Sequence, residues 1–398
     1  MVWHEKLESF VAVLYELKTL SHVRIGTGEN IKLPTPIDNS QSRILRLEPT
    51  AVSGGESEGS QKGPAKLRWT VYIPASSLHG ILRSALEDYL RNMLKPVNAV
   101  KEVLKDNSVS DNVKRKIERL KKSIPGFEDL PLYREVCYTT LDFDNCQLPA
   151  PNDKKEYLTN LVLRKDSYGN HLPCFVCQLF GAPGLRGRVR ILNAYPSKEL
   201  EETLPLDVMT RVAINRVTGA AEEGKLFDLE AIPPGAKFYF FVVINNAFSK
   251  IKIHDQGLEE KKYIELLGLD EGQQSNCPHG NTGFTYFSLF QKSIELINSG
   301  AVPIGSHGTI GFGTVEIRKI AVMSINGEEE TKKFIRSITK QSIDPKEISD
   351  KIEACVSNPG EIPDLDEELY PRLARILVNE ARNKISGGQN ASNGTSNS

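Results

Sequence analysis

The stretch Ser76-Ser77-Leu78-His79-Gly80-Ile81-Leu82-Arg83-Ser84-Ala85-Leu86-Glu87-Asp88-Tyr89-Leu90 constrains the fold more than any other part of the chain. Leu78, Ile81, Leu82, Ala85, Leu86 and Tyr89 recur at helical spacing behind a serine cap, which predicts an amphipathic helix with one buried face. The strand-like run Leu67–Ile73 and Pro74 precede it. A one-sided helix next to strands needs a sheet to cover it. Further strands are expected at 11–26, Val189–Ala194, Val208–Ile214 and Lys237–Ile244, and a second helix at Phe284–Asn298. Gly300–Ile317 is expected as a glycine-rich turn running into a last strand. This order predicts an α+β chain with large insertions.

Charge narrows the possible functions. Lys plus Arg number 50 and Asp plus Glu 51, a net charge of −1, which excludes a free-standing binder of nucleic acid driven by bulk positive charge. The positive charge is instead sorted into patches. Asn112–Lys122 holds six basic residues and one acid, Arg186-Gly-Arg188-Val-Arg190 holds three arginines, and Arg211 and Arg216 bracket a strand end. Acids gather at Glu199–Glu202, Glu328–Glu330 and Asp364–Glu368. No stretch reaches the roughly 18 uncharged apolar residues of a membrane span, and the N-terminus has no signal-peptide pattern. Six cysteines at this length make no disulfide framework, so a reducing, cytoplasmic setting is expected.

Five constellations carry possible chemistry. Cys174-Phe-Val-Cys177 is spaced so that two thiolates can reach one tetrahedral zinc, with His171, Cys137 and Cys146 nearby to complete it. Buried reduced cysteines beside Phe175 and Phe180 are the alternative. Gly305-Ser306-His307-Gly308-Thr-Ile-Gly311-Phe-Gly313 can form an anion nest or a plain tight turn. Arg186, Arg188 and Arg190, at i, i+2 spacing, are expected on one side of a strand, as phosphate contacts or as a solvated face. Arg211-Val-Ala-Ile-Asn-Arg216-Val-Thr-Gly219 marks a strand entering a hairpin whose tip is expected near Glu222–Lys225. Asp38, in Pro34-Thr-Pro-Ile-Asp38-Asn39, is a carboxylate able to hold a hydrated cation or to cap a turn.

In order and spacing these segments resemble the RAMP superfamily of CRISPR effector proteins, and in particular the repeated backbone subunit of type III complexes. The resemblance rests on Ile25-Gly26, Ile37-Asp38-Asn39, Tyr72-Ile73-Pro74-Ala-Ser76-Ser77-Leu78-His-Gly80, Cys174-x-x-Cys177-x-Leu179-Phe180-Gly181, Arg188-Val-Arg190, Arg211 through Gly219, Phe227 through Phe238, and Gly305 through Gly313. It implies a ferredoxin-like, RRM-type palm with a projecting β-hairpin thumb, a helical and zinc-containing insertion, and a helical C-terminal extension. The implied division is a palm at 1–95 with a mobile loop at 27–64, an insertion at 96–185, a second palm part at 186–320 with the thumb at 215–235, an extension at 321–386 and a disordered tail at 387–398.

The resemblance also implies a function. Guide CRISPR RNA would lie on Ser76, Ser77, His79, Arg83, Arg186, Arg188, Arg211, Arg216, Gly305, Ser306, His307 and Gly308. Complementary target RNA would be cleaved at Asp38 with Mg²⁺ or Mn²⁺, and structural zinc would sit on Cys174, Cys177, Cys137 and His171. Partners would be other effector subunits and copies of this chain, with no membrane. Departures from the family are the histidine at His79, where lysine is usual, the long loop at 27–64, and the unmatched region after about residue 320. A non-catalytic scaffold and a guide-RNA processing nuclease using His307 are the alternatives.

Overall fold

The computed structural model describes residues 6–26, 43–48, 66–96, 111, 114, 115, 118, 119, 122, 131–138, 146, 164, 172–197, 204–254, 257–269, 283–339 and 345–393. In chain order, the elements are β1 Ser9–Thr19, β2 Arg43–Glu48, β3 Lys66–Val71, α1 Ala75–Met93, α2 Phe175–Phe180, β4 Val189–Ile191, β5 Tyr195–Pro196, β6 Asp207–Ile214, β7 Ala221–Ala231, β8 Lys237–Asn245, α3 Glu260–Leu267, α4 Tyr286–Asn298, β9 Val315–Asn326, α5 Glu328–Thr339, α6 Pro345–Ser349, β10 Ile352–Ala354 and α7 Arg372–Asn393.

The main sheet is antiparallel, in the order β10-β9-β1-β8-β4, with β5 also on β8. Val13 of β1 sits between Val242 of β8 and Val322 of β9. Helix α1 lies in the chain between β1 and β4, and α4 between β8 and β9, so β9-β1-β8-β4 has the strand order of a split βαβ unit. The expected antiparallel α+β architecture is therefore present.

Both faces of the sheet are covered. On one face Val11, Val13, Tyr15 and Leu17 of β1 pack with Leu78, Leu82 and Leu86 of α1 and with Phe287, Phe290 and Ile294 of α4. On the other, Phe10, Ala12 and Leu14 meet Tyr239, Phe241 and Met323, and then the C-terminal segment: Phe334, Ile352, Tyr370, Leu377 and Ala381. Glu16 ends this second row. Burial pushes its carboxyl up, but hydrogen bonds and charge from Arg318, with Tyr239 and Lys237, bring it below its ordinary value. Arg318 also bonds Glu361 at 2.6 Å, which ties the sheet to the covering segment.

Several expectations need correcting. β2, at 43–48, lies inside the stretch expected as a loop and pairs with β3. β1 ends at Thr19, not near residue 26. β9 runs past residue 320 to Asn326, and the extension adds β10 to the sheet, so it is not purely helical. Helix α7 continues to Asn393, inside the expected disordered tail. Its packed residues Ala374, Leu377 and Ala381 nucleate it, and adding turns to an existing helix costs little.

The hairpin is formed by β6 and β7. It reverses at Asn215–Ala220, not at Glu222–Lys225. Asn215 Oδ1 accepts from Val217 and Thr218 amides, and Gly219 takes φ +69°. Cys355 is disulfide-bonded, against the expectation of reduced cysteines throughout. Of the basic helical segment, the described residues 111, 114, 115, 118, 119 and 122 are helical.

Leu377 has 0% exposure beneath the sheet. Leu377→Ala is expected to destabilise the fold by about 2–5 kcal/mol, read as a lower urea midpoint.

Candidate functional site

The four cysteines Cys137, Cys146, Cys174 and Cys177 come from three stretches of chain and converge. Their sulfurs all lie within 4.8 Å of one another. Cys174 caps α2, its sulfur accepting from the Cys177 amide at 3.4 Å, which turns both side chains of the C-x-x-C to one side. The Cys146 sulfur accepts from the Cys174 amide at 3.2 Å, and the Cys137 and Cys177 sulfurs are 3.6 Å apart. A tetrahedral zinc with Zn–S near 2.3 Å needs sulfurs about 3.8 Å apart. All four cysteines are fully buried and none is disulfide-bonded. The donor set therefore fits a single soft divalent ion such as zinc. Cys146 stands in the place expected of His171, and His171 lies outside the described residues.

The sulfurs are electrostatically unequal. Burial pushes Cys174 up, but hydrogen bonds from the other three cysteines and the Arg164 charge outweigh it and hold that thiol well below its ordinary value. The other three are pushed up: Cys137 and Cys177 chiefly by hydrogen bonds within the cluster, Cys146 chiefly by burial. Sharing protons among four close thiols gives this pattern, and binding an ion would remove it.

Helix α1 leans on this cluster. Arg83 donates to the Cys177 sulfur at 3.2 Å, to Gly181 O at 2.7 Å and to Glu87 at 2.8 Å. Its guanidinium is thus engaged inside the protein. His79, also on α1, meets Phe180 edge-on and lies 3.3 Å from Phe180 O. Burial and the Arg83 charge lower its pKa, against the backbone bond to Phe180. The position is accordingly uncharged at neutral pH. Ser76 is exposed and Ser77 half-buried in the first turn, and the Ala75 amide is taken by Asn193 Oδ1 at 2.8 Å.

The glycine segment is mostly self-satisfied. The amides of Ser306, Ile310, Gly311, Phe312 and Gly313 donate to Arg24, His307, Gly308, His307 and His22 carbonyls, so these five form no open anion nest. Gly305 is required by close approach: a Cβ there would lie 2.2 Å from Arg24 O.

What the segment builds is a cluster of side chains. Arg24 Nη1 donates to Ser306 Oγ at 3.0 Å, and His307 Nδ1 lies 2.9 Å from the same oxygen. Phe312 plugs the root of the hairpin against Leu229 and Ala231. His22, His307 and Arg211 surround its ring at 5.6, 5.8 and 5.3 Å. Burial, then Arg24 and Arg211, lower the His307 pKa. His22 is 2.9 Å from Asp207. His22, Arg24, Asp207 and Phe312 were not singled out in the sequence. Only the alternation of His22 and Arg24 around buried Val23 hinted at them.

The three arginines of 186–190 do not share a strand face. Gly181 and Gly187 fold the chain tightly, Arg186 is exposed in that turn, and Arg188 stacks 4.1 Å over the Tyr286 ring. Arg190 alone projects from β4. Arg216 is exposed in the hairpin turn. Asp38 lies outside the described residues.

Comparison with known proteins gives the wider context. The family model of the RAMP superfamily matches residues 16–316, and the chain belongs to that superfamily. It is similar to the CRISPR system Cms endoribonuclease Csm3 of Methanocaldococcus jannaschii, 27% identical over 150 residues, which is 33% of this chain and 58% of the relative. The match thus spans less than two thirds of that relative's length.

Two outcomes follow. Cys146→Ser is expected to lower zinc content as severely as Cys174→Ser, while His171→Ala leaves it unchanged, both read by metal analysis of purified protein. For His79, a depressed folded pKa means that its neutral state supports the fold above about pH 6.5. That contribution is lost as pH falls through the lower folded value. An NMR titration is expected to place His79 below the ordinary range, and His79→Gln to flatten the acid-side loss of stability.

Proposed function

Taking RAMP membership as the premise, we propose that this chain is a guide-RNA-binding subunit of a type III CRISPR effector complex that cleaves complementary target RNA at Asp38. The observation that carries the reading is the superfamily match along most of the chain, joined to similarity with a protein named as an endoribonuclease. The fold supports a particular path for the RNA. In RRM-type sheets the open face stacks bases. Here that face is filled by the C-terminal segment, so RNA is left the helix side and its rim. The groups this path would use are the first turn of α1 with Ser76 and Ser77, the exposed Arg186, and the cluster of Arg24, Ser306, His307 and Arg211 at the hairpin root; Arg190, paired with Val243 of β8, faces the side that the C-terminal segment covers.

In this reading the α1 N-terminus and the arginines hold phosphates. The β6–β7 hairpin, with Val208, Val212, Ile214, Val217 and Leu226 exposed, acts as the thumb that kinks the guide–target duplex. Kinking would bring a target 2′-hydroxyl in line with its phosphorus; the hydroxyl gives its proton to a base as the P–O2′ bond forms, the P–O5′ bond breaks, the departing 5′-oxygen takes a proton from water, and positioning supplies most of the rate. Mg²⁺ or Mn²⁺ on Asp38 would neutralise charge developing on the phosphate. Zinc on the four cysteines would be structural. Other effector subunits, and copies of this chain, would be its partners. Among the described residues no helix is long and apolar enough to cross a membrane.

The test is a reconstituted complex carrying Asp38→Ala, challenged with labelled complementary RNA. Cleavage is expected to fall at least about 100-fold, on the scale of a lost catalytic group, with RNA binding retained. Unchanged cleavage would make the chain a scaffold subunit. Loss of precursor processing in His307→Ala would point instead to a guide-processing nuclease.

A further inference from the structure

A metal held by four thiolates carries a charge problem. Four deprotonated cysteines around one divalent ion leave a formal charge of minus two, and here every one of the cysteines has 0% exposure. Buried charge of that size is tolerated only when paired and hydrogen-bonded. Two arginines converge on the cluster. Arg83, whose side chain is 17% exposed, points a guanidinium N–H at the Cys177 sulfur, 3.2 Å away. Arg164, with 0% exposure, is buried against the segment that carries Cys137. Its Nε and Nη2 donate to the carbonyls of Arg134, Tyr133 and Val136, the stretch that leads directly into Cys137. Its charge also reaches Cys174.

We infer that Arg83 and Arg164 are the charge-compensating partners of a tetrathiolate metal centre, Arg83 as a direct donor to a ligand sulfur and Arg164 as the buried cation that orders the Cys137 segment. This rests on the reading of the cysteine cluster as a metal site. Arg83 shares its charge with Glu87, so the two guanidiniums offset, and do not fully cancel, the formal charge that four thiolates and a divalent ion leave behind.

The arrangement on α1 extends the same role along one helix face. Arg83, Glu87 and Arg91 are spaced i, i+4 and i+8. Glu87 bonds Arg83 at 2.8 Å and Arg91 at 3.5 Å, and Arg91 donates to the Cys137 carbonyl at 3.0 Å. One stripe of the helix thus holds a ligand sulfur at one end and a ligand's backbone at the other. Arg83 also donates to Gly181 O, at the start of the tight turn that presents Arg186. It is a positioning residue joining the metal centre to α1 and to the basic turn, and its charge faces inward.

Outer partners of metal ligands typically change affinity by about 10–100-fold when removed. The experiment uses the full-length chain loaded with zinc or cobalt(II). Wild type is expected to retain about one ion per chain, as four thiolate ligands require, with a thiolate-to-cobalt charge-transfer band. Arg83→Met, folded in excess zinc, is expected to lose zinc to a chelator at about 10–100-fold higher affinity cost and to shift that band, because the N–H···S bond is gone. Arg83→Gln, which keeps a donor but drops the charge, tests compensation directly should the Met variant not fold, and is expected to weaken zinc binding as well. Arg91→Met, which removes bonds to the Cys137 carbonyl, Glu87 and Asp88 but none to a ligand sulfur, is expected to shift the band less than Arg83→Met. Zinc affinity within about twofold of wild type in both Arg83 variants, with an unmoved band, overturns the inference. A wild-type chain that binds no stoichiometric zinc or cobalt overturns the metal reading itself, a result distinct from a failure at Arg83.

Discussion

Strand β1 has water on neither side, and the rest of the architecture answers to that. From Ser9 to Thr19 every residue except Lys18 is buried, so alternate side chains need two separate covers. One cover is made by α1 and α4, the other by described residues of the C-terminal segment such as Phe334, Ile352, Tyr370, Leu377 and Ala381. Area burial at about 25 cal/mol per Å² makes both covers favourable, but neither is optional, because removing one exposes a full row of apolar side chains. The polar exception, Glu16, sits where the second row ends. It is held by Arg318, Lys237 and the Tyr239 hydroxyl, so a buried carboxylate has partners on every side that water does not reach.

How much of this was legible in the sequence varies with the kind of signal. α1 was plain from its apolar spacing, although the expected serine cap is absent: the helix starts behind Pro74 with no side-chain cap, and Ser76 and Ser77 lie within its first turn. β8 and α4 were plain for the same reason of period. The hairpin was legible as a hairpin, but Gly224 looked like its tip, whereas an Asn215 side-chain turn closes it earlier and Gly224 falls within the strand. β10 has three residues and owes its existence to β9 beside it, a tertiary cause with no local pattern. The second cover could be recognised as helical. What it covers could not be known without the topology.

The candidate site shows the same division. Cys174 and Cys177 announce themselves by spacing. Cys137 and Cys146 do so only by being cysteines, and nothing local ranks Cys146 above His171. Arg83, expected at the guide RNA, has partners inside the protein. A basic residue near a helix N-terminus looks the same in sequence whether it faces phosphate or thiolate, and only its partners distinguish the two. The glycine segment was likewise noticed for its composition. Its glycines serve mainly to let Gly305 and Gly313 pass against Arg24 and Ile304, and the side chains they bring together, His22 and Arg24 among them, come from the far end of the chain.

The pairing of β1 with β9 also fixes how this protein must fold. Ser9 pairs with Asn326, and Phe10 with Asn245 and Ile325. The strand made first is therefore finished last: its two neighbours lie more than half a chain away, and the cover for its second face comes later still. Contacts this distant are slow to form, because loop-closure entropy is spent before they repay it. Until β9 emerges, one edge of β1 has no partner, and until the C-terminal segment follows, one apolar face is uncovered, the kind of surface that sticks to other chains.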